Sequence, residues 1–266
     1  MTLDNRWEAV LDPGKATDFF ASRNGRPAMD PGVSGWDLGH AWWCSEISRT
    51  IYRRDGRATF FERVGLGELR FFDEGGTQCA VVVGEGCAVL VFRGTADLRD
   101  CLTNLRVAPV EWPYGGRVHE GFARGLAKVW DEVESALDQL RLPTFVTGHS
   151  LGGALATLAA ARREFVAAYT FGAPRVGDAA FWQTLRCPLH RVVNDRDVVP
   201  TLPPKRLDYT HGGLLQHIAG DDTVRDDLSP EDLAAVERSL SDRRWFDPHE
   251  TLADHAPVNY TAHLAS

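Results

Sequence analysis

From Pro143 to Asp195 the chain alternates short apolar runs with helix-like stretches, and no other feature narrows the fold as much. PTFVTG, VAAYTFGA and LHRVVND have the length and the β-branched or aromatic content of buried strands, and LGGALATLAAARR and AAFWQTL separate them as expected helices. Strands joined by helices run parallel, and a parallel sheet needs cover on both faces. The expected fold class is therefore α/β, with a central, mostly parallel twisted sheet between helical layers.

Upstream, LRFFDE, QCAVVVG and CAVLVFRG are strand-like, and Gly84-Glu85-Gly86 marks a hairpin between the last two. Leu38, Ala41, Trp42, Ile47 and Ile51 fall near helical spacing between Trp36 and Tyr52, and a shorter helix is expected around Ala58–Val64, ending at Gly65. A long amphipathic helix is expected from His119 to Leu140, with Phe122, Leu126, Val129, Trp130, Val133 and Leu137 on one face. A further helix around Pro230–Leu240, opened by Ser229, and a terminal segment through His255 close the chain. Residues 1–33 are rich in Asp, Gly, Pro and Arg and read as an N-terminal arm, wrapped or loose, and residues 34–266 as one domain.

The balance of 29 basic against 37 acidic residues, a net charge of −8, argues against nucleic acid, because phosphate neutralisation dominates such binding. No apolar run approaches the length of a membrane-spanning helix. The first residues lack a charged start followed by an apolar stretch, and five irregularly spaced cysteines suggest reduced thiols rather than a disulfide framework. A cytoplasmic placement is the expectation, or export if a leader has been removed. His249, Asp254, His255 and His263 match no H-E-x-x-H spacing, and Gly84-x-Gly86 lacks the third glycine of a dinucleotide turn, so no metal and no cofactor are expected.

The chemistry centres on Gly148-His149-Ser150-Leu151-Gly152, placed between a strand and a helix. A serine on so sharp a turn needs small neighbours, and Gly148, Gly152 and Gly153 supply them. Its hydroxyl is a poor nucleophile until a histidine takes the proton, and that histidine needs a carboxylate to fix its tautomer and balance its charge. Asp195 and Asp197 follow the strand LHRVV, where a loop at the sheet edge is expected. His190, His211, His217, His249, His255 and His263 all lie downstream of Ser150, and chain order alone excludes none of them.

VLVFRGT, RVHEGF, VTGHSLGGALATL, YTFGAPRVGDAAF, RVVNDRDVVPTLPP and DHAPVNY, in this order, resemble the blocks of the class 3 lipase family, from about Trp36 to Leu264. The resemblance implies an α/β-hydrolase fold and hydrolysis of carboxylic esters, above all acylglycerol lipids. It implies Ser150 as nucleophile, Asp197 as acid and His255 as base, with Thr95 and Leu151 as the oxyanion hole. Asp195 stays a rival acid, and His211 and His249 rival bases. His149 is expected to pack beside the site. Arg93, Arg175 and Asp178 are expected in structural pairings with opposite charges.

In the family, the segment after the first oxyanion residue forms a lid. Here Leu98, Cys101, Leu102 and Leu105 have helical spacing within an expected lid at about 96–113. Cys101 and Asn104 replace a tryptophan and an acid common in the family, a loss of bulk that Trp112 is a candidate to offset. An ester or lipid substrate is implied, with transient contact to a lipid interface. Short-chain, feruloyl or phospholipid esterase, or acyltransferase, are alternative readings of the same site, and a non-catalytic lipase-like binding protein is the reading from another class.

Overall fold

The structure is a computed structural model that describes residues 13–15, 17–21, 27–53, 55–94, 108–195, 197–221, 223–226, 228–229, 231–232, 234–236, 238 and 254–265. Its strands are β1 (Gly67–Glu74), β2 (Thr77–Val83), β3 (Ala88–Phe92), β4 (Val110–Glu111), β5 (Arg117–Val118), β6 (Thr144–His149), β7 (Ala168–Phe171), β8 (Leu189–Asn194), β9 (Leu214–Ile218) and β10 (Val224–Arg225). Its helices are α1 (Leu38–Thr50), α2 (Arg57–Glu62), α3 (Glu120–Leu140), α4 (Leu151–Arg162) and α5 (Pro257–Leu264).

An eight-stranded sheet runs in the order β1-β2-β3-β6-β7-β8-β9-β10. β3, β6, β7, β8 and β9 are parallel neighbours, and the antiparallel pairs β1–β2, β2–β3 and β9–β10 flank them. The expected hairpin is present: Gly84 N–H donates to Cys87 O at 2.9 Å. Every residue of β3, β6, β7 and β8 is buried, as strands covered on both faces must be. One apolar cluster, with Leu90, Val146, Trp130 and Leu158, lies between the sheet and α3 with α4; a second, with Trp42, Ile47, Val89 and Phe145, lies on the α1 face.

One expectation differs from what is observed, and one strand had no counterpart in the sequence reading. AAFWQTL forms a 3-10 segment at Phe181–Thr184 rather than a helix, because Asp178 Oδ1 caps the Phe181 N–H at 2.9 Å and Pro188 follows too soon for more turns. β9 was hidden because Gln216 and His217 interrupt its apolar run, yet both are buried. Trp112 is buried beside the β4–β5 pair and meets Phe181 edge-on at 6.4 Å. Residues 96–107 of the expected lid, Cys101 among them, lie outside the described residues, as do 239–253 and parts of the expected helix around Pro230–Leu240.

The described part of the arm is wrapped. Phe19, Phe20 and Met29 are buried in the α1-side cluster. Arg49 of α1 holds this segment through Pro13 O at 2.9 Å and Asp18 O at 2.6 Å, while its guanidinium lies 4.3 Å from the Phe19 ring centre. Glu46, one turn earlier, accepts from Arg49 Nε at 2.8 Å and Nη2 at 3.0 Å, and both side chains are excluded from solvent.

Burial pushes the Glu46 carboxyl up to about 6, against the opposing pull of Arg49. A carboxyl raised on folding binds its proton more tightly in the folded chain than in the unfolded one. Its contribution therefore favours the fold as pH falls from about 6 toward the ordinary value of 4.5, and the charged form costs stability above that window. Chemical denaturation at pH 7 and pH 4.5 should show the wild type gaining on the order of 1–2 kcal/mol relative to Glu46→Gln on acidification. A wild type that instead loses ground to the glutamine variant would contradict this sign.

Candidate active site

Parallel strands deliver their C-terminal ends to one edge, and the residues singled out from the sequence follow those ends. Ser150 follows β6, and Asp197 follows β8. Leu151 opens α4, so its N–H has no acceptor within the helix. Thr95, which follows β3 and Gly94, lies outside the described residues, and so does His249.

Ser150 has φ 59° and ψ −128°, a backbone that an L-residue adopts only when its surroundings enforce it. Its N–H donates to Phe171 O at 2.9 Å, which fixes the turn to β7. A side chain at Gly148 would strike Gly152, and one at Gly152 would strike Phe92 O, so the elbow closes only with glycine at these positions. The dipole of α4 points its positive end at this turn.

His255, fully buried just before α5, donates from Nδ1 to Asp197 Oδ2 at 2.8 Å. This bond fixes the Nδ1–H tautomer and leaves Nε2 as the basic nitrogen, which has no hydrogen-bond partner among the described residues. Asp197 is also fully buried, and its other donors are Val199 N–H to Oδ1 at 2.9 Å and Tyr260 O–H to Oδ2 at 2.6 Å. Burial and the adjacent Asp197 charge hold the Tyr260 hydroxyl well above its ordinary value, so it remains a donor. Asn194, the last residue of β8, donates its N–H to Tyr260 Oη at 3.1 Å and its side-chain amide to Asp254 O at 3.0 Å. Gly172 lies against the pair with φ 56°, and a Cβ there would come within 2.5 Å of Asp197 Oδ2 and 2.9 Å of His255 Nδ1.

The structure thus pairs His255 with Asp197 and places Ser150 and Leu151 at the turn after β6. The rival acid Asp195 is half-buried, with its N–H on Ile218 O at 2.9 Å, and the acid that meets His255 is Asp197. His211 donates from Nε2 to Pro200 O at 2.7 Å beneath the acid loop, and burial, then the Arg191 and Arg175 charges, hold its ring well below the ordinary histidine value. His190 bonds to Ser34 O at 3.0 Å, and His217 and His263 are buried. His149 packs beside the site, its ring centre 4.5 Å from that of His255.

Arg93 donates to the Gln78 amide oxygen, and Arg175 to Thr201 O and, at 2.8 Å, to Pro203 O. Asp178 does pair with an arginine, Arg117, at 3.1 Å. A cleft of about 460 Å³ opens beside Leu151 and Gly94, lined also by Gln78, Arg93, Lys128 and Leu155. Among the described residues no cluster of three His, Cys, Asp or Glu side chains is arranged to hold a metal, and Cys44, Cys79, Cys87 and Cys187 are free thiols.

Sequence reasoning missed Tyr260. It sits within the quoted block DHAPVNY, but its partner is 63 residues away, and no local spacing signals such a bond. Tyr260→Phe removes one donor from a buried carboxylate and should lower stability by about 1–3 kcal/mol in urea unfolding. An unchanged midpoint would contradict that role.

Residues 89–207 match the family described as Lipase (class 3). A lipase of Rhizomucor miehei is 41% identical over 143 residues, covering 47% of this chain and 39% of the relative. A secreted mono- and diacylglycerol lipase of Malassezia globosa is 27% identical over 253 residues, covering 83% of this chain and 80% of the relative. This chain therefore spans well under two thirds of the first of these and four fifths of the second. A solved triacylglycerol lipase, described as having a serine protease triad at its catalytic centre, superposes with a TM-score of 0.67 at 27% identity, covering 84% of this chain and 94% of that one. A fungal lipase–inhibitor complex gives a TM-score of 0.55 at 30% identity, covering 66% of this chain and 77% of the other. The chain belongs to the class 3 lipase family.

Proposed function

We propose that the protein is a serine-dependent carboxylic-ester hydrolase acting on acylglycerol esters. The observation that carries this reading is the buried His255 Nδ1–Asp197 Oδ2 hydrogen bond of 2.8 Å at the strand edge that also holds Ser150. His255 Nε2 takes the Ser150 hydroxyl proton as Oγ attacks the ester carbonyl. The carbonyl oxygen becomes negative against the N–H of Leu151 and the N–H and hydroxyl of Thr95. Collapse breaks the bond to the alcohol, which leaves with the proton from His255. Water then gives a proton to His255 and attacks the acyl carbonyl, and the bond to Ser150 Oγ breaks as His255 returns that proton to Oγ, which releases the carboxylic acid. Asp197 keeps the tautomer and balances the imidazolium throughout.

Membership of the class 3 lipases supports an acylglycerol substrate, and such a substrate brings the protein into transient contact with a lipid surface. The cleft beside Leu151 supplies space for part of the ester. The secreted Malassezia relative favours export over the cytoplasmic placement expected from the cysteines and the N-terminus. No described helix is long and apolar enough to cross a membrane.

Hydrolysis of nitrophenyl butyrate and of dispersed nitrophenyl palmitate tests the reading. Both should be cleaved by the wild type, and Ser150→Ala should lose on the order of 10,000-fold in turnover with its unfolding midpoint kept. A Ser150→Ala variant that retains a tenth of the activity would overturn the assignment. Cleavage of the butyrate alone would move the substrate to short-chain esters on the same site.

A further inference from the structure

His149 precedes the reactive serine and is almost fully buried, and both of its ring nitrogens are engaged. Nε2 lies 2.7 Å from the main-chain carbonyl oxygen of His255. Nδ1 lies 2.9 Å from the Tyr52 hydroxyl, just beyond the end of α1. A carbonyl oxygen only accepts, so Nε2 carries the proton. Nδ1 of that neutral ring can only accept, so the donor on this side is the Tyr52 hydroxyl. The two hydrogen bonds determine the tautomer of His149 completely.

The ring also faces its catalytic neighbour. The His149 and His255 ring centres are 4.5 Å apart with their planes inclined by 37°, and the Tyr52 and Tyr260 rings lie 5.8 Å from His149 on other sides. Among the described residues, the charged and titratable groups around it are His255 from the turn before α5, Tyr260 of α5, Tyr52 after α1, Asp197 behind His255, and Arg93, whose guanidinium lies 5.6 Å from the Tyr52 ring centre. Burial, and after it the adjacent His255, hold the His149 ring well below the ordinary histidine value. A neutral ring there leaves room for a positive charge on His255; a charged one would oppose it.

We infer that His149, oriented by Tyr52, is a positioning residue that holds the main chain and ring of His255 in register with Ser150 while remaining uncharged. The inference rests on the proposed ester hydrolysis for its kinetic consequences, but its geometry stands apart from that reaction. A base moved by a fraction of an ångström from its nucleophile loses rate without losing substrate affinity. His149→Leu keeps apolar bulk and removes the donor to His255 O, whereas His149→Gln places an amide N–H where Nε2–H stood. Tyr52→Phe leaves the ring and its bond to His255 O in place and removes only the donor to Nδ1.

The test has two arms. In the first, nitrogen-15 NMR of the imidazoles of the wild type is followed from pH 5 to pH 8. The result expected is a His149 ring protonated at Nε2, bare at Nδ1 and unchanged across the range, with the Nδ1 resonance alone moved, by loss of its donor, in Tyr52→Phe. A His149 ring that titrates, or one protonated at Nδ1, overturns the inference whether or not the protein hydrolyses esters. In the second arm, His149→Leu should lower kcat for nitrophenyl butyrate about 30- to 100-fold at nearly constant KM. His149→Gln should retain at least a third of wild-type kcat, and the acid limb of log kcat/KM in the wild type should have unit slope. Equal losses in Leu and Gln variants, losses confined to KM, or an acid limb of slope two would overturn it. A wild type without Ser150-dependent turnover would instead sink the hydrolase reading and leave the NMR arm to decide the placement of His149.

Discussion

Asp197 is a carboxylate with no exposure to solvent, and a buried charge persists only if its oxygens are fully bonded. Three donors come from separate parts of the chain: the Val199 N–H from its own loop, the Tyr260 hydroxyl from the terminal helix, and His255 from the turn before that helix. Satisfying this one group therefore docks the C-terminal segment on the end of β8. It also fixes which nitrogen of His255 is basic. Gly172 is constrained by the same demand, since a side chain there would occupy the space of the pair.

The docking is braced from the opposite side. Ser45 of α1 meets Thr261 of α5 at 2.6 Å, and Ser48 meets Thr147 of β6 at 3.1 Å. The helix that braces α5 also leads to Tyr52, and hence to His149 and the elbow. At its other surface α1 carries Arg49, which gathers the arm through Pro13 and Asp18. The α1 layer is thus more than cover for the sheet: it joins the arm, the strand that leads to the serine and the segment that carries the histidine.

The parts of this arrangement legible in the sequence are those written in local pattern. Alternating apolar runs and helices identified β6, α4, β7 and β8, and the six-residue apolar face of Glu120–Leu140 was readable from spacing alone because water lies on its other side. Ser150 was legible because its strained turn demands glycines on both sides. The choice of Asp197 over Asp195 was not, since two carboxylates two residues apart differ only in which one the fold turns inward. It came from resemblance, as did His255. Tyr260 and Tyr52 carried no signal, because their partners are remote in sequence. β9 was obscured by polar residues whose burial depends on neighbouring elements.

The central claim is that the strand edge turns one ordinary hydroxyl, that of Ser150, into a nucleophile. Reaction with a nitrophenyl alkylphosphonate, which places a phosphorus at the carbonyl position and loses nitrophenolate when attacked, tests it most directly. Intact-mass measurement and peptide mapping should find one phosphonyl group per chain, on the peptide containing Ser150, formed far more slowly in Asp197→Asn. A chain that stays unmodified, or that is modified elsewhere with Ser150 intact, would contradict the account.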